Sequence, residues 1–221
     1  MLNTVLKKIA KHPLLFTIVF FACYLLVFLL VELFVTEPVV IIHSVLDDYI
    51  PFNRFMVIPY LLWFPWIPVT VCYFYFIAPK GEFWRFALPL YTGMAMCVIG
   101  YAIVPNGLNL RPDVIEGEDF CAWVVRTIQG VDPPMNVCPS LHVLVTLGLM
   151  MAWLRSKTPF VQKHKAWIFP LSILLGVSIL ASTVMMKQHS IIDVFAAIAL
   201  FAVLDIAMCG VVRRVTEYAN S

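Results

Sequence analysis

Leu14–Val35 reads LLFTIVFFACYLLVFLLVELFV, and this stretch decides the fold. It is 22 residues long and holds one charged side chain, Glu32. As helix it rises about 33 Å, enough to cross roughly 30 Å of hydrocarbon. It is too long for the apolar core of a cleaved signal peptide and does not end in small residues, so no cleavage is expected. Lys7, Lys8 and Lys11 in front of it read as a cytoplasmic anchor. Working outward, similar runs recur at Met56–Ile77, Phe86–Pro105, Leu141–Leu154, Trp167–Met186 and Ile191–Val212. The expectation is an all-α integral membrane protein: a six-helix transmembrane bundle forming one domain over residues 1–221.

Composition agrees. The 221 residues are 62% hydrophobic and 13% charged, and the mean hydropathy is +0.92. Soluble domains are about half apolar and a quarter charged. A net charge of +2 leaves no basic face for nucleic acid. With the N-terminus inside, the segments on that side carry Lys7, Lys8, Lys11, Lys80, Arg85, Arg155, Lys157, Lys163, Lys165, Arg213 and Arg214. The outer segments carry Arg54, Arg111, Arg126 and Lys187. The bias places both termini in the cytoplasm of a cell-membrane protein.

The outer loop Asn106–Pro139 is long for a plain connection. Phe120, Val124, Val125 and Ile128 are spaced as one helix face, which suits a helix lying in the interface. Such a helix either packs on the bundle or covers a pocket at membrane level, and the residues leave both open. Cys121 and Cys138 share this loop, where a disulfide is chemically allowed. The prolines of the second span, Pro59, Pro65 and Pro68, predict a kink that opens a side entrance. Asp205 reads as a structural contact.

Polar residues collect at the outer span ends. Ser140 begins a helix, where free N–H groups attract an anion. Arg111 and Lys187 supply positive charge. His189 and Asp193 are four apart, so one carboxylate can orient the ring and leave its second nitrogen to attack phosphorus. His142, on another span, can protonate a leaving oxygen. Each residue alone has a plain explanation; together, near a membrane where such groups are costly, they point to a phosphate site.

These residues stand as Val104…Arg111-Pro112, Pro139-Ser140-Leu141-His142 and Ser182-Thr183…His189…Asp193. Their order and spacing resemble the three motifs of the type 2 phosphatidic acid phosphatase superfamily, from the third span to the sixth. The resemblance implies a lipid phosphatase with a metal-free, cofactor-free mechanism at the outer face. It implies that His189 is the nucleophile and forms a phosphohistidine, that Asp193 orients it, that His142 is the acid and later the base, and that Arg111 and Ser140 hold phosphoryl oxygens. The partners implied are a lipid phosphate or phospholipid substrate and the bilayer. Val104 stands where the family has Lys, Leu141 where it has Gly, and Thr183 where it has Arg. Lys187, one helical turn beyond Thr183 if the fifth span continues, is expected to restore one cation, with Asn106 and Asn109 as neutral donors. Fewer cations shift the preference toward a diester. Pro-Ser-Leu-His and Lys-Gln-His are similar to the branch with inositol phosphorylceramide synthases, which implies a head-group phosphotransferase as the alternative. Two rivals of other classes are a metal site built from His142, His189 and Asp193, and a non-catalytic anion or lipid transporter.

Overall fold

The computed structural model describes residues 2–220. The helices are α1 (Leu2–Lys11), α2 (Pro13–Phe34), α3 (Val45–Tyr49), α4 (Val57–Phe76), α5 (Lys80–Ile103), α6 (Phe120–Val131), α7 (Leu141–Arg155), α8 (Pro159–Met185), α9 (Ile191–Ala207) and α10 (Cys209–Asn220). Two short strands, β1 (Val40–Ile41) and β2 (Asn106–Gly107), pair in parallel and tie the segment after α2 to the segment after α5. Among the described residues four helices are long and apolar enough to cross a membrane: α2, α4 with the turn before it, α5 and α8. α9 and α10, bent by 54° at their junction, pass the same test only when taken together, which would bring the number to five. α7 is apolar but only 15 residues long.

Three boundaries differ from the apolar runs. α5 begins at Lys80, ahead of Phe86, because a helix does not stop where polarity begins: Lys80 Nζ donates to Ala219 O (3.1 Å) and anchors the extra turn on α10. α8 begins at Pro159, a residue suited to a first helical turn. The last run is not one straight rod. It breaks at Met208, and α10 turns so that its narrow apolar face, Val215 and Ala219, is buried against α5 and α1. α4 runs through Pro65 and Pro68 as one helix.

α5 is the most buried of the four long helices, and Trp84, Tyr91 and Tyr101 lie wholly inside. Between α5 and α7 the backbones approach closely. A methyl group at Gly93 would stand 2.9 Å from Leu144 Cδ2, and one at Gly148 would stand 3.1 Å from Leu90 Cδ1. Where lipid replaces water, helices associate through such close packing more than through exclusion of apolar surface. α2 rests on this core through Phe20, stacked on Tyr91 at 4.5 Å, and leaves most of its length exposed.

The long loop does contain a helix. α6 packs Cys121, Ala122, Val124 and Val125 against Val57, Tyr60 and Met186, and exposes Phe120 and Trp123. Cys121 and Cys138 are both free thiols, so the bridge allowed between them is not formed.

Candidate active site

The N-terminus of α7 is set by a bracket from the α5 end. Asn106 Oδ1 accepts from Val137 N (2.9 Å) and Cys138 N (2.8 Å), and its amide donates to Val104 O and Cys138 O. Tyr101 donates its hydroxyl to Pro139 O, next to a cis Cys138–Pro139 bond. Ser140 then caps α7: its Oγ accepts from Val143 N, and its own N–H donates to Asp193 O (3.2 Å). α7 and α9 therefore start side by side, and His142 is the second residue of α7.

On α9, His189 precedes the helix. Ser190 is the N-cap, and Asp193 at the third helical position reaches back to accept from Ser190 N (2.9 Å), a capping box. The same oxygen, Asp193 Oδ2, lies 3.3 Å from His189 Nδ1. The expected pair is thus brought together by a cap, not by one shared helix face. Upstream, Gln188 N and His189 N both donate to Thr183 O (2.9 and 3.1 Å), which fixes the turn leading into the ring.

The two rings meet. His142 Nδ1 lies 3.2 Å from His189 Nε2, and His142 Nε2 lies 2.9 Å from Tyr60 Oη. The protons of this line follow from its fixed end. An ionised Asp193 only accepts, so His189 carries its proton on Nδ1 and Nε2 keeps a lone pair. His142 then donates from Nδ1, and its Nε2 accepts from the Tyr60 hydroxyl. Along this line each donor meets an acceptor, while the other carboxylate oxygen, Asp193 Oδ1, is buried without a partner. His189 and Asp193 are 6% and 0% exposed, so water does not compete for these bonds. Trp63 and Tyr60 pack on the His142 ring, with centroids at 4.6 and 4.9 Å.

The cations are placed differently. Arg111 donates to Asp132 O (2.6 Å) and to Gln188 Oε1 (2.6 Å), and lies 3.7 Å from Asp132 Oδ2. Burial lowers the Arg111 guanidinium from its ordinary value, against the pull of Asp132, and burial raises the Asp132 carboxyl, against Arg111 and His189. Gln188, next to His189, is held by Arg111 through its oxygen, and its buried amide nitrogen has no partner. It is a neutral donor beside His189. Lys187 does not continue the fifth span. α8 ends at Met185, Lys187 has φ +58°, and its Nζ donates to Asp47 O and Ile50 O (2.6 Å each). It holds α3 against the turn, and the expectation that it replaces the missing cation is corrected. Thr183 turns its hydroxyl to Leu180 O (2.8 Å). Asn106 is committed to the bracket, and Asn109 is exposed with no side-chain hydrogen bond among the described residues. Burial pushes the Cys138 thiol up to about 12, and the nearby Asp193 adds to this.

Three residues of the site were missed in the sequence. Tyr60 comes from the second long span, where it is one aromatic among many. Gln188 sits inside the last motif without a distinctive pattern. Asp47 lies in the apolar stretch before Pro51. It is wholly buried and accepts from Ser190 Oγ (2.6 Å), Ile191 N (2.9 Å) and Ser44 N (2.9 Å). Ser44-x-x-Asp47 is a legible capping box; its reach to α9 is not. Among the described residues no three His, Cys, Asp or Glu side chains form a group able to hold a metal ion.

No family model matches the chain, and neither does any curated protein or solved structure.

Proposed function

We propose that the protein is an integral membrane enzyme that cleaves a phosphoryl group from a lipid at the outer face, as type 2 phosphatidic acid phosphatases do. α2, α4, α5, α7, α8 and α9 each cross the bilayer, and α6 lies in the interface with Phe120 and Trp123 toward lipid. What carries this reading is the bonded line Asp193–His189–His142, whose middle member has a lone pair on Nε2. A phosphoryl group entering between the rings takes over the proton that His142 Nδ1 gives to His189 in the free enzyme. His189 Nε2 attacks phosphorus in line, an N–P bond forms, and the P–O bond to the lipid breaks. With substrate bound, His142 takes a second proton from the acidic phosphate group, gives its Nδ1 proton to the departing oxygen and is left as the neutral ring. Water, deprotonated by His142, then displaces His189 and releases phosphate. The apolar groove between α4 and α8, about 590 Å³, is lined by Met56, Pro59, Leu174 and Ala181 among others and lodges an acyl chain.

A second reading is favoured by the charge at the rings. Arg111 is already engaged, Lys187 is turned away, and Asp132 and Asp193 are acidic neighbours. A monoanionic diester fits this field better than a dianionic monoester, and a lipid alcohol in place of water makes the enzyme a head-group phosphotransferase. Trapping tests the shared first step. Protein mixed with ³²P-labelled phosphatidic acid or head-group-labelled phosphatidylinositol is quenched in alkaline detergent and assayed for label. Label on the wild type and none on His189→Ala is expected. Wild-type protein that takes no label while moving lipid or anion across vesicles would be a transporter.

A further inference from the structure

The cavity at the opposite end of the bundle has no part in this chemistry. α7 separates it from the rings: from His142 to Arg155 the helix rises about 20 Å. It holds about 430 Å³ between α5, α7, α9 and α10. Its floor is apolar, formed by Phe86, Pro89, Met151, Phe201 and Val212. Its rim is charged, and the two signs are not used equally. All three rim carboxylates are satisfied within the protein. Asp205 takes both terminal nitrogens of Arg155 (2.5 and 2.8 Å). Glu82 accepts from Ser156 Oγ (2.7 Å) and Lys157 N (2.9 Å). Glu217 accepts from Arg213 Nε (3.1 Å). The guanidinium of Arg85 and the ammonium of Lys157 are left without a partner among the described residues, and both line the cavity.

We infer that this cavity seats the phosphate-bearing head group of an anionic phospholipid from the adjacent leaflet. Two free cations at the rim call for an anion, and Arg85 offers a planar fork that matches phosphate oxygens. The apolar floor calls for an amphiphile, since a free inorganic anion gains nothing from Phe86 or Phe201. The volume falls in the range of small-molecule sites. Basic pockets between spans at the membrane surface are a recognised setting for anionic head groups, with each basic residue contributing about fivefold in affinity.

The test is native mass spectrometry of the full chain in detergent, offered equal amounts of dioleoyl phosphatidylglycerol and dioleoyl phosphatidylcholine. The wild type should retain phosphatidylglycerol over phosphatidylcholine by about tenfold or more, given two free cations. Arg85→Ala and Lys157→Ala should each lower that preference about fivefold, and Arg85→Lys should keep most of it. Both positions are exposed, and an unchanged thermal midpoint without added lipid shows that each variant is folded. His189→Ala should bind as the wild type does. Equal retention of the two lipids, or a preference that survives the double variant, overturns the proposal. So does stripping of the lipid by millimolar inorganic phosphate, which makes the site one for a free anion. Loss of the preference in His189→Ala would place the lipid at the rings instead.

Discussion

The two ends of α7 solve the same problem in opposite ways. At its start, polar groups from α4, α7, the turn before α9 and α9 itself are linked by hydrogen bonds along Tyr60–His142–His189–Asp193. At its finish, Arg155 and Asp205 cancel each other in a two-pronged ion pair between α7 and α9. The ion pair has no capacity left once formed. The line of rings is joined by hydrogen bonds instead of cancelled charges, and on the proposed function its donors and acceptors are exchanged with the substrate. Low dielectric makes unpaired charge costly but makes proton-sharing hydrogen bonds strong. On the proposed function, saturated pairing at one end and transferable pairing at the other separate structure from chemistry on a single 15-residue helix.

The sharpest way to break this contrast is His189→Ala. Turnover should fall by about 10³-fold or more, since nucleophile losses are of that order. His142→Ala should fall similarly, because the two rings act as a unit, whereas Arg155→Met should leave the chemical step in place. A quenched-flow assay of phosphoryl release measures all three. Turnover in His189→Ala within tenfold of wild type would remove the chemistry from this end of the helix.

Asp47→Ala comes next. It removes the acceptor for Ser190 Oγ, Ile191 N and Ser44 N at a wholly buried site. Buried donors left unpaired should cost about 3 kcal/mol, read as a lower unfolding midpoint. Asp47→Asn keeps one carbonyl acceptor and should cost less. Because Asp47 steadies the turn that carries His189, the Ala variant should also lower turnover; a change in stability alone would mean that α9 holds its start without α3.

Tyr60→Phe is smaller. It removes one hydroxyl from His142 Nε2 and keeps the ring that packs on it. A neutral hydrogen bond contributes about 1 kcal/mol, so turnover should fall about fivefold, with the acid limb of the pH profile displaced because His142 loses the donor that fixes its tautomer. An unchanged profile would end the proton line at His142.

How much of this was legible depended on whether the partner is local. The apolar run Leu14–Val35 matches α2 to within one residue at each end, and His189 and Asp193 are near neighbours in the chain, so their pairing could be anticipated, although the cap that joins them was not. Lys187 misled because one residue at positive φ ends α8 early and sends the ammonium to α3. No spacing rule anticipates that. Tyr60 and Asp47 act across 82 and 143 residues, and only tertiary packing selects one tyrosine among the eight. The start of α5 was misplaced because its first turn is charged yet anchored by Lys80 on α10.

The smallest expected effect concerns α6 and sharpens the contrast between exposed and buried carboxylates. Asp119 caps α6, with Oδ1 accepting from Ala122 N (3.0 Å) and Oδ2 from Arg54 Nε (2.8 Å). The Ala122 bond, and then Arg54, hold this carboxyl below its ordinary value. A carboxyl depressed in the folded state contributes stability that is complete above its unfolded value, about 3.9, and is lost as pH falls through the folded one. α6 should therefore be as firmly anchored at pH 5 as at pH 7 and should loosen only below about pH 4. Faster amide exchange at Ala122–Val125 would report it. Asn caps about as well as Asp, so Asp119→Asn should show similar protection at neutral pH and lose the acid step. If the acid step persists in Asp119→Asn, another carboxyl anchors α6; Asp132, just past its end and raised by burial, would lose its charge at higher pH and is the one to test next.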